Sequence, residues 1–313
     1  MREKRREKHE NRERCWRGVR LYIPFHDFSS WCKSVKVAAL WSGGKDSCLA
    51  SYEAVSKGFE ISTLLSFIYK DASGGSSSIG SNLLSFVYNR VGRASPSIVS
   101  DLLSFVYKDL SRMVPHEVAP EIITMQAQAM EIPLVQREVS WGTFEHQLKS
   151  TIRTLKLTGI EGLVFGVVPP HYPIDSSEKL REYSTLMAHK DWINRVCSEL
   201  GIKPITPLWG RNPEQILADF VEKGFEAITV VVDSNLLGEE WLGRKIDYDF
   251  VHEVRRLNRE RGIHVGGSAY HTLVTDGPSF KKRLRVLQSR KVYKNGYLVL
   301  DISKVELAKK LEI

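Results

Sequence analysis

The stretch Val35–Ser47, which reads VKVAALWSGGKDS, decides the fold. Residues 35–41 form a short apolar run, which is typical of a strand buried on both faces of a sheet. The polar loop SGGKDS follows, and residues 46–57 then have the pattern of a helix that ends at Gly58. Residues 61–67 form a second apolar strand. Strand, loop, helix and strand within about 30 residues predict one βαβ unit.

The loop SGGKDS has the composition of a phosphate-binding turn. Gly43 and Gly44 carry no Cβ atom, so backbone N–H groups can approach an anion closely at the start of a helix, where negative charge is favoured. Lys45 adds a mobile cation, and Asp46 offers the oxygen ligand that Mg²⁺ prefers. The loop is neither a P-loop nor a dinucleotide G-x-G-x-x-G motif, and its position after a buried strand disfavours the alternative of an ordinary polar turn. The predicted nucleotide-binding residues are Ser42, Gly43, Gly44, Lys45, Asp46 and Ser47.

The composition is that of a globular protein, since 42% of the 313 residues are hydrophobic and 26% are charged. This composition excludes collagen-like, disordered and coiled-coil chains. The sequence contains no run of about 18 apolar residues, so we expect no membrane span. At roughly 150 residues per domain, the length allows about two domains. The four cysteines form no C-x-x-C pair and have no zinc-ligand spacing. We therefore expect reduced thiols and a cytoplasmic location.

The positive charge of the chain is concentrated near residue 1. Residues 1–20 contain nine Lys or Arg and four Glu, which account for five of the eight net positive charges. The remaining chain is therefore not a basic nucleic-acid surface. Residues 1–34 are interpreted as a flexible, solvated extension, with contact to nucleic acid through this segment as the alternative.

An octapeptide recurs three times at a spacing of 19 residues. The copies are LLSFIYKD (Leu64–Asp71), LLSFVYNR (Leu83–Arg90) and LLSFVYKD (Leu102–Asp109). A solenoid is one explanation, but the repeat stops abruptly and its first spacer is rich in Ser and Gly. A tandem duplication inserted into one loop, at about residues 62–101, fits better, because long insertions cost little entropy. One copy is then expected to be the genuine strand.

Beyond the repeat, helical and apolar extended segments alternate. We predict helices at 117–130, 143–157, 186–200, 213–223 and 249–261, strands at 134–139, 163–168 and 227–232, and a Pro-rich loop at 169–185. Asn212 and Pro213 have the sequence of a helix start, and Asn295-Gly296 is a hairpin signal within residues 283–302. This alternation predicts a mostly parallel α/β sheet.

The loop resembles the PP-loop of N-type ATP pyrophosphatases, and further segments resemble one family of them, the diphthine–ammonia ligases. These segments are RMVPHEVAPEI (Arg112–Ile122), QAQAM (Gln126–Met130), HKDWINRVCSELGIKP (His189–Pro204), PLWGR (Pro207–Arg211), WLGRKID (Trp241–Asp247) and AYHTLVTDGPSFKKRL (Ala269–Leu284). The resemblance spans residues 36–286 and indicates that Leu102–Asp109 is the repeat copy that belongs. It implies an α/β fold with a Rossmann-like, HUP-type parallel sheet and PP-loop, followed by a smaller α/β substrate domain.

The resemblance also implies domains and a reaction. Residues 35–166 would be the ATP-binding domain, 167–286 the substrate-binding domain and 287–313 a C-terminal hairpin or tail. Family enzymes use ATP to join ammonium to diphthine, the modified histidine of translation elongation factor 2, and they release AMP and pyrophosphate.

The site residues follow from the same resemblance. The loop would bind the β- and γ-phosphates, with Lys45 and Asp46 catalytic and Asp46 on Mg²⁺. The substrate side would be contacted by Trp209, Tyr270, His271 and Thr272. The segment VGGSAY (Val265–Tyr270) lacks the glutamates of the family's GENGEY or GEGGEY. A divergent nucleotide-binding paralogue without ligase activity therefore stays open as one alternative. The basic segment at residues 1–20 leaves open a second, a PP-loop enzyme that modifies RNA.

Overall fold

A five-stranded parallel sheet forms the first part of the computed structural model, which describes residues 34–69, 118–140, 143–168, 177–261, 269–294 and 296–310. Its strands are β1 (Val35–Leu40), β2 (Phe59–Tyr69), β3 (Leu134–Val139), β4 (Gly162–Val164) and β5 (Lys203–Ile205). They lie in the order β3-β2-β1-β4-β5, and all adjacent pairs are parallel. The order reverses between β1 and β4, which is where open α/β sheets bind ligands. The predicted Rossmann-like sheet is confirmed.

Helices cover both faces of this sheet. They are α1 (Lys45–Ser56), α2 (Pro120–Met130), α3 (Phe144–Lys156) and α4 (Ser177–Leu200). Side chains of β1 alternate between two apolar clusters, as the pleat of a strand requires. Val37 and Ala39 lie in the cluster that includes α1 and α2, whereas Ala38 lies in the cluster that includes α3 and α4. Because both faces are buried there, residues 37–40 of β1 are continuously apolar rather than alternating.

A carboxylate joins α3 to α4. Glu145 accepts hydrogen bonds from Lys149 Nζ at 2.6 Å, from Trp192 Nε1 at 2.8 Å and from Arg195 Nη2 at 2.9 Å. Partial burial alone would raise the pKa of Glu145, but these hydrogen bonds outweigh it and lower the pKa to about 2. The group is therefore ionised and fixes the two helices against each other at neutral pH.

The second sheet is antiparallel and has four strands. Its strands are β6 (Glu226–Asp233), β7 (Tyr270–Asp276), β8 (Lys282–Lys294) and β9 (Tyr297–Lys309), accompanied by the helices α5 (Pro213–Glu222) and α6 (Tyr248–Arg261). The order is β7-β6-β9-β8, with every pair antiparallel. The prediction of a mostly parallel sheet is wrong for this half. Lys294, the last residue of β8, pairs with Tyr297, the first residue of β9, and strands that follow each other so closely along the chain can pair only as antiparallel neighbours.

Strand β8 lies at the edge of the second sheet and is 13 residues long. It contains six basic residues and no acidic one: Lys282, Arg283, Arg285, Arg290, Lys291 and Lys294. Two of them form cross-strand ion pairs with β9, Arg285 with Glu306 at 3.1 Å and Arg290 with Asp301 at 2.7 Å. Both pairs are largely solvent-exposed, so each contributes about 1 kcal/mol at most.

Two local expectations differ from the structure. Helix α4 begins at Ser177, inside the loop predicted at 169–185, because the last proline before it is Pro173. Strand β5 has no counterpart among the predicted strands; it is three residues long and contains Pro204, which is tolerated because β5 is an edge strand. The first repeat copy supplies part of β2, which pairs with both β1 and β3.

Several predictions concern residues outside the described ranges. These are the extension at 1–33, the repeat copies at 83–90 and 102–109, most of the segment VGGSAY, and Asn295 of the hairpin turn. The contacts between residues group Val35–Ile313 into one compact unit. Its division into domains at residues 166 and 286 stays a prediction. Within the described ranges, no helix has the length and apolar character needed to cross a membrane.

Candidate nucleotide site

The loop Ser42–Ser47 connects the carboxyl end of β1 to the first turn of α1. Its own hydroxyl groups close it. Ser47 Oγ donates to Gly44 O at 3.0 Å and accepts from Ser42 N at 3.3 Å, and the Oγ atoms of the two serines are 3.1 Å apart. The serines predicted to contact phosphate therefore also hold the shape of the loop.

Glycines are required where the loop touches other elements. Gly43 has φ +80°, and a Cβ atom there would lie 2.5 Å from Ile123 Cδ1 and 2.7 Å from Gln126 Oε1. A Cβ atom on Gly166, just after β4, would lie 2.7 Å from the backbone nitrogen and Cα of Ser47. All of these distances are below any normal contact, so there is no room for a side chain at either glycine. This is the close backbone approach that the sequence predicts for a phosphate cradle.

Lys45 and Asp46 form an ion pair at the start of α1. Lys45 is 7% exposed, its Nζ donates to Asp46 Oδ2 at 2.8 Å, and it lies 5.4 Å from the centre of the Tyr270 ring. Burial alone would lower the pKa of Lys45, but the negative charge of Asp46 and its hydrogen bond outweigh this effect, so the pKa lies above its ordinary value. The ammonium therefore keeps its charge at neutral pH.

Strand β7 of the second sheet is hydrogen-bonded to the loop. Thr272 Oγ1 accepts from Lys45 N at 3.0 Å, and Val274 N donates to Gly43 O at 3.0 Å. Gln126 of α2 adds a third connection, because its Nε2 donates to Gly43 O at 3.0 Å and to Val274 O at 2.7 Å. The two sheets are thus joined at the candidate nucleotide site.

The predicted substrate residues are only partly brought together. Tyr270 and Thr272 are buried next to the loop, whereas His271 is on the opposite face of β7 because strand side chains alternate. Burial raises the pKa of Tyr270 to about 12, with Lys45 opposing the shift, so its phenol stays neutral. Trp209 packs on the α3–α4 cluster of the first sheet, with Lys190 Nζ 5.0 Å from the ring centre.

The metal prediction depends on one carboxylate. In the part of the chain that the structure describes, no three His, Cys, Asp or Glu side chains are grouped to hold a metal ion. Mg²⁺ in phosphoryl sites is commonly held by one or two carboxylates together with substrate phosphates and water. Asp46 alone therefore fits a Mg²⁺ that arrives with a nucleotide, and a cation held by protein ligands only does not fit.

Comparison with known proteins gives a consistent family. A family model described as the diphthamide synthase N-terminal domain matches residues 35–92, and one described as the diphthamide synthase C-terminal domain matches residues 212–308. A diphthine–ammonia ligase of Schizosaccharomyces pombe is 27% identical over 84% of this chain and 38% of its own length. Diphthine–ammonia ligases of Bos taurus and Homo sapiens are 25% and 24% identical over 82% of this chain and 85% of theirs.

The chain belongs to the diphthine–ammonia ligase family. Within the family's two domain models, the loop falls in the N-terminal one and β7 falls in the C-terminal one. A solved Methanocaldococcus jannaschii chain, described as a predicted subunit of tRNA methyltransferase, aligns over 78% of this chain and 98% of its own. Its identity is 16% and its TM-score 0.30, which is too low to bear on the fold or function.

Gln126 is the site residue that sequence reasoning missed. It lies between the two matched ranges and occurs in the segment QAQAM, which contributed only to the resemblance. A signal was present, because Gln126 is a polar residue on the buried face of α2 formed by Ile122, Ile123 and Met130. A polar side chain on the core-facing side of a helix needs hydrogen-bond partners, and here they are Trp41, Gly43 of the loop and Val274 of β7.

Proposed function

We propose that this protein is an ATP-dependent ligase that joins ammonium to diphthine on translation elongation factor 2, in the cytoplasm, and releases AMP and pyrophosphate. One observation carries the proposal. The loop Ser42–Ser47, in the range of the family's N-terminal domain, is hydrogen-bonded to β7, in the range of its C-terminal domain. A nucleotide on the loop would lie beside the strand that carries Tyr270 and Thr272.

The chemistry assigned to the loop is electrostatic. Amides in the first turn of a helix have no acceptor within the helix, so those after Lys45 are suited to phosphate oxygens. The ammonium of Lys45 would move from Asp46 to the phosphates, where it would stabilise the charge that develops on the departing pyrophosphate. The carboxylate of diphthine would displace pyrophosphate from the α-phosphorus, and ammonia would then displace AMP, with loss of a proton.

Asp46 is the residue proposed to hold Mg²⁺. When bound, the ion would neutralise part of the charge on the pyrophosphate. Asp46 Oδ2 accepts from Lys45, so release of the Lys45 ammonium toward the phosphates would free this oxygen for the cation. Lys45 and Asp46 would therefore change partners together when a nucleotide binds.

The test is a measurement of AMP and pyrophosphate released from ATP in the presence of ammonium. Diphthine-bearing elongation factor 2 is added in one arm, and the same factor without diphthine in the other. We expect release that depends on both ammonium and diphthine, with an equal amount of amide formed on the factor. Release that is equal in the two arms would refute diphthine as the acceptor.

The sequence VGGSAY supports one competing function, because two carboxylates of the family's run are replaced there. A divergent paralogue would bind ATP through the same loop without using diphthine. It predicts saturable ATP binding with no factor-dependent release of AMP. The release assay and an ATP-binding isotherm together separate the two functions.

A further inference from the structure

The side chain of Gln126 makes hydrogen bonds to three residues at the loop and on either side of it. It is fully buried, with Oε1 accepting from Trp41 Nε1 at 3.0 Å. Its Nε2 donates to Gly43 O at 3.0 Å and to Val274 O at 2.7 Å. One amide thus contacts the residue after β1, the loop and β7, and it is carried by α2.

This amide does more than fill the core. A buried amide is costly unless it is hydrogen-bonded, and an apolar side chain of similar size would fill the same space without that cost. A Cβ atom on residue 43 would lie only 2.7 Å from Gln126 Oε1, so the amide leaves room for glycine and for no larger residue at that position. Gln126 therefore fits the left-handed turn at Gly43 and fixes the direction of its carbonyl.

A second connection reaches the first backbone amide of α1. Thr272 Oγ1 accepts from Lys45 N at 3.0 Å, and this N–H belongs to the first turn of α1. First-turn amides are the groups that bind anions in such loops. Here a hydroxyl group from β7 orients the first of them, so the position of β7 affects where the following amides point.

We propose that Gln126 is a positioning residue that couples the nucleotide loop to β7, so that ATP binding and the docking of β7 strengthen each other. The inference rests on the proposed function, because it assumes that the loop binds ATP. Linkage requires the effect to be reciprocal: if docked β7 raises the affinity for ATP, then ATP must stabilise docked β7 by the same factor.

The first experiment compares Gln126→Met with Gln136→Met. Gln136 is a matched control, because its amide also bridges to backbone, donating to Pro120 O at 3.1 Å, but does not touch the loop. We expect Gln126→Met to weaken ATP binding at least about tenfold, or about 1.4 kcal/mol, and Gln136→Met to change it less than about twofold. A purely structural role would lower the melting temperature of both variants and leave both ATP affinities unchanged, which would overturn the inference.

The second experiment tests the connection that Thr272 makes to the loop. Thr272→Val removes only the acceptor of Lys45 N, and Thr275→Val is the control on the same strand, since Thr275 Oγ1 donates to Glu226 O at 3.3 Å. We expect weaker ATP binding for Thr272→Val alone.

A third experiment measures backbone hydrogen exchange. ATP should slow exchange in the peptide 270–276 of the native protein and should not slow it in Gln126→Met. Equal slowing in both proteins would overturn the coupling.

These outcomes are separable from failure of the proposed function. A native protein that binds no ATP would refute both ideas. Native binding of ATP without diphthine-dependent release would refute the ligase and leave the coupling testable by the same isotherms. Normal ligase activity with equal affinities in the two Met variants would refute only the coupling.

Discussion

Replacing Gly43 with alanine tests the packing of the loop directly. The new Cβ atom would lie 2.5 Å from Ile123 Cδ1 and 2.7 Å from Gln126 Oε1, on a backbone with φ +80°. Gly58, at the end of α1, provides a matched control, because it has φ +88° and a Cβ atom added there would have no neighbour within 4 Å. The two substitutions share the backbone strain and differ in the steric overlap.

The expected cost of Gly43→Ala has three contributions, of which only the first applies to Gly58→Ala. A residue other than glycine at positive φ costs about 1 kcal/mol, partly offset by a stiffer unfolded chain, so Gly58→Ala should cost about 0.5 to 1 kcal/mol. Overlap in a packed core adds about 1 to 3 kcal/mol. Displacing the Gln126 amide adds about 1 kcal/mol for each hydrogen bond left unmade. We expect Gly43→Ala to be less stable than Gly58→Ala by about 3 kcal/mol.

The assay is urea unfolding at equilibrium, followed by circular dichroism, with ATP affinity measured on the folded variants. At about 2 °C per kcal/mol for a chain of this size, the melting temperatures should differ by about 6 °C. ATP binding should weaken in Gly43→Ala alone. A stability difference below about 1 kcal/mol, or equal ATP affinities, would show that the loop is not packed as described.

Three further outcomes are expected. Lys45→Met should reduce AMP formation at least about 100-fold, as loss of a charge-stabilising group does, while Lys57→Met at the other end of α1 should leave the rate unchanged. Glu145→Gln should destabilise the protein at pH 7 by about 1 to 2 kcal/mol after allowance for solvent screening. Because the pKa of Glu145 is lowered to about 2, that stabilisation is complete above pH 4.5 and is lost as the pH falls toward 2, so urea midpoints of the two proteins should converge. Asn212→Ala should cost about 1 kcal/mol in urea unfolding, since Asn212 Oδ1 caps α5 by accepting from Glu214 N at 2.8 Å, and Asn212→Asp should restore most of it.

Local patterns predict the elements that local sequence determines. The run at Val35–Leu40 forms β1 because both faces are buried, and Asn212 and Pro213 are the cap and first residue of α5. Helix α4 begins earlier than predicted because the sequence contains no proline between Pro173 and Ser177 or in the helix itself, so nothing there prevents a helix. Strand β5 could not be predicted because three residues, one of them a proline, are too few to show the alternating pattern of a strand.

The nucleotide loop itself is predictable from sequence, but its connections are not. Gly43, Gly44 and Lys45 stand out by residue type and by their place between a strand and a helix. The bonds from Thr272 and Gln126 to the loop join residues that are distant along the chain, and no local period encodes such pairs. The antiparallel second sheet escapes prediction for the same reason, since strand direction depends on which strands pair.

The long edge strand β8 bears on how this protein behaves in concentrated solution. An edge strand of 13 residues presents a long row of backbone donors and acceptors to a second copy, which is the usual route to edge-to-edge aggregation. The basic residues of β8 oppose it, because two such edges would bring like charges together. That repulsion is screened over about 8 Å at physiological salt. Colloidal stability should therefore fall as ionic strength rises, and neutralising Lys282 and Lys294 should lower it further.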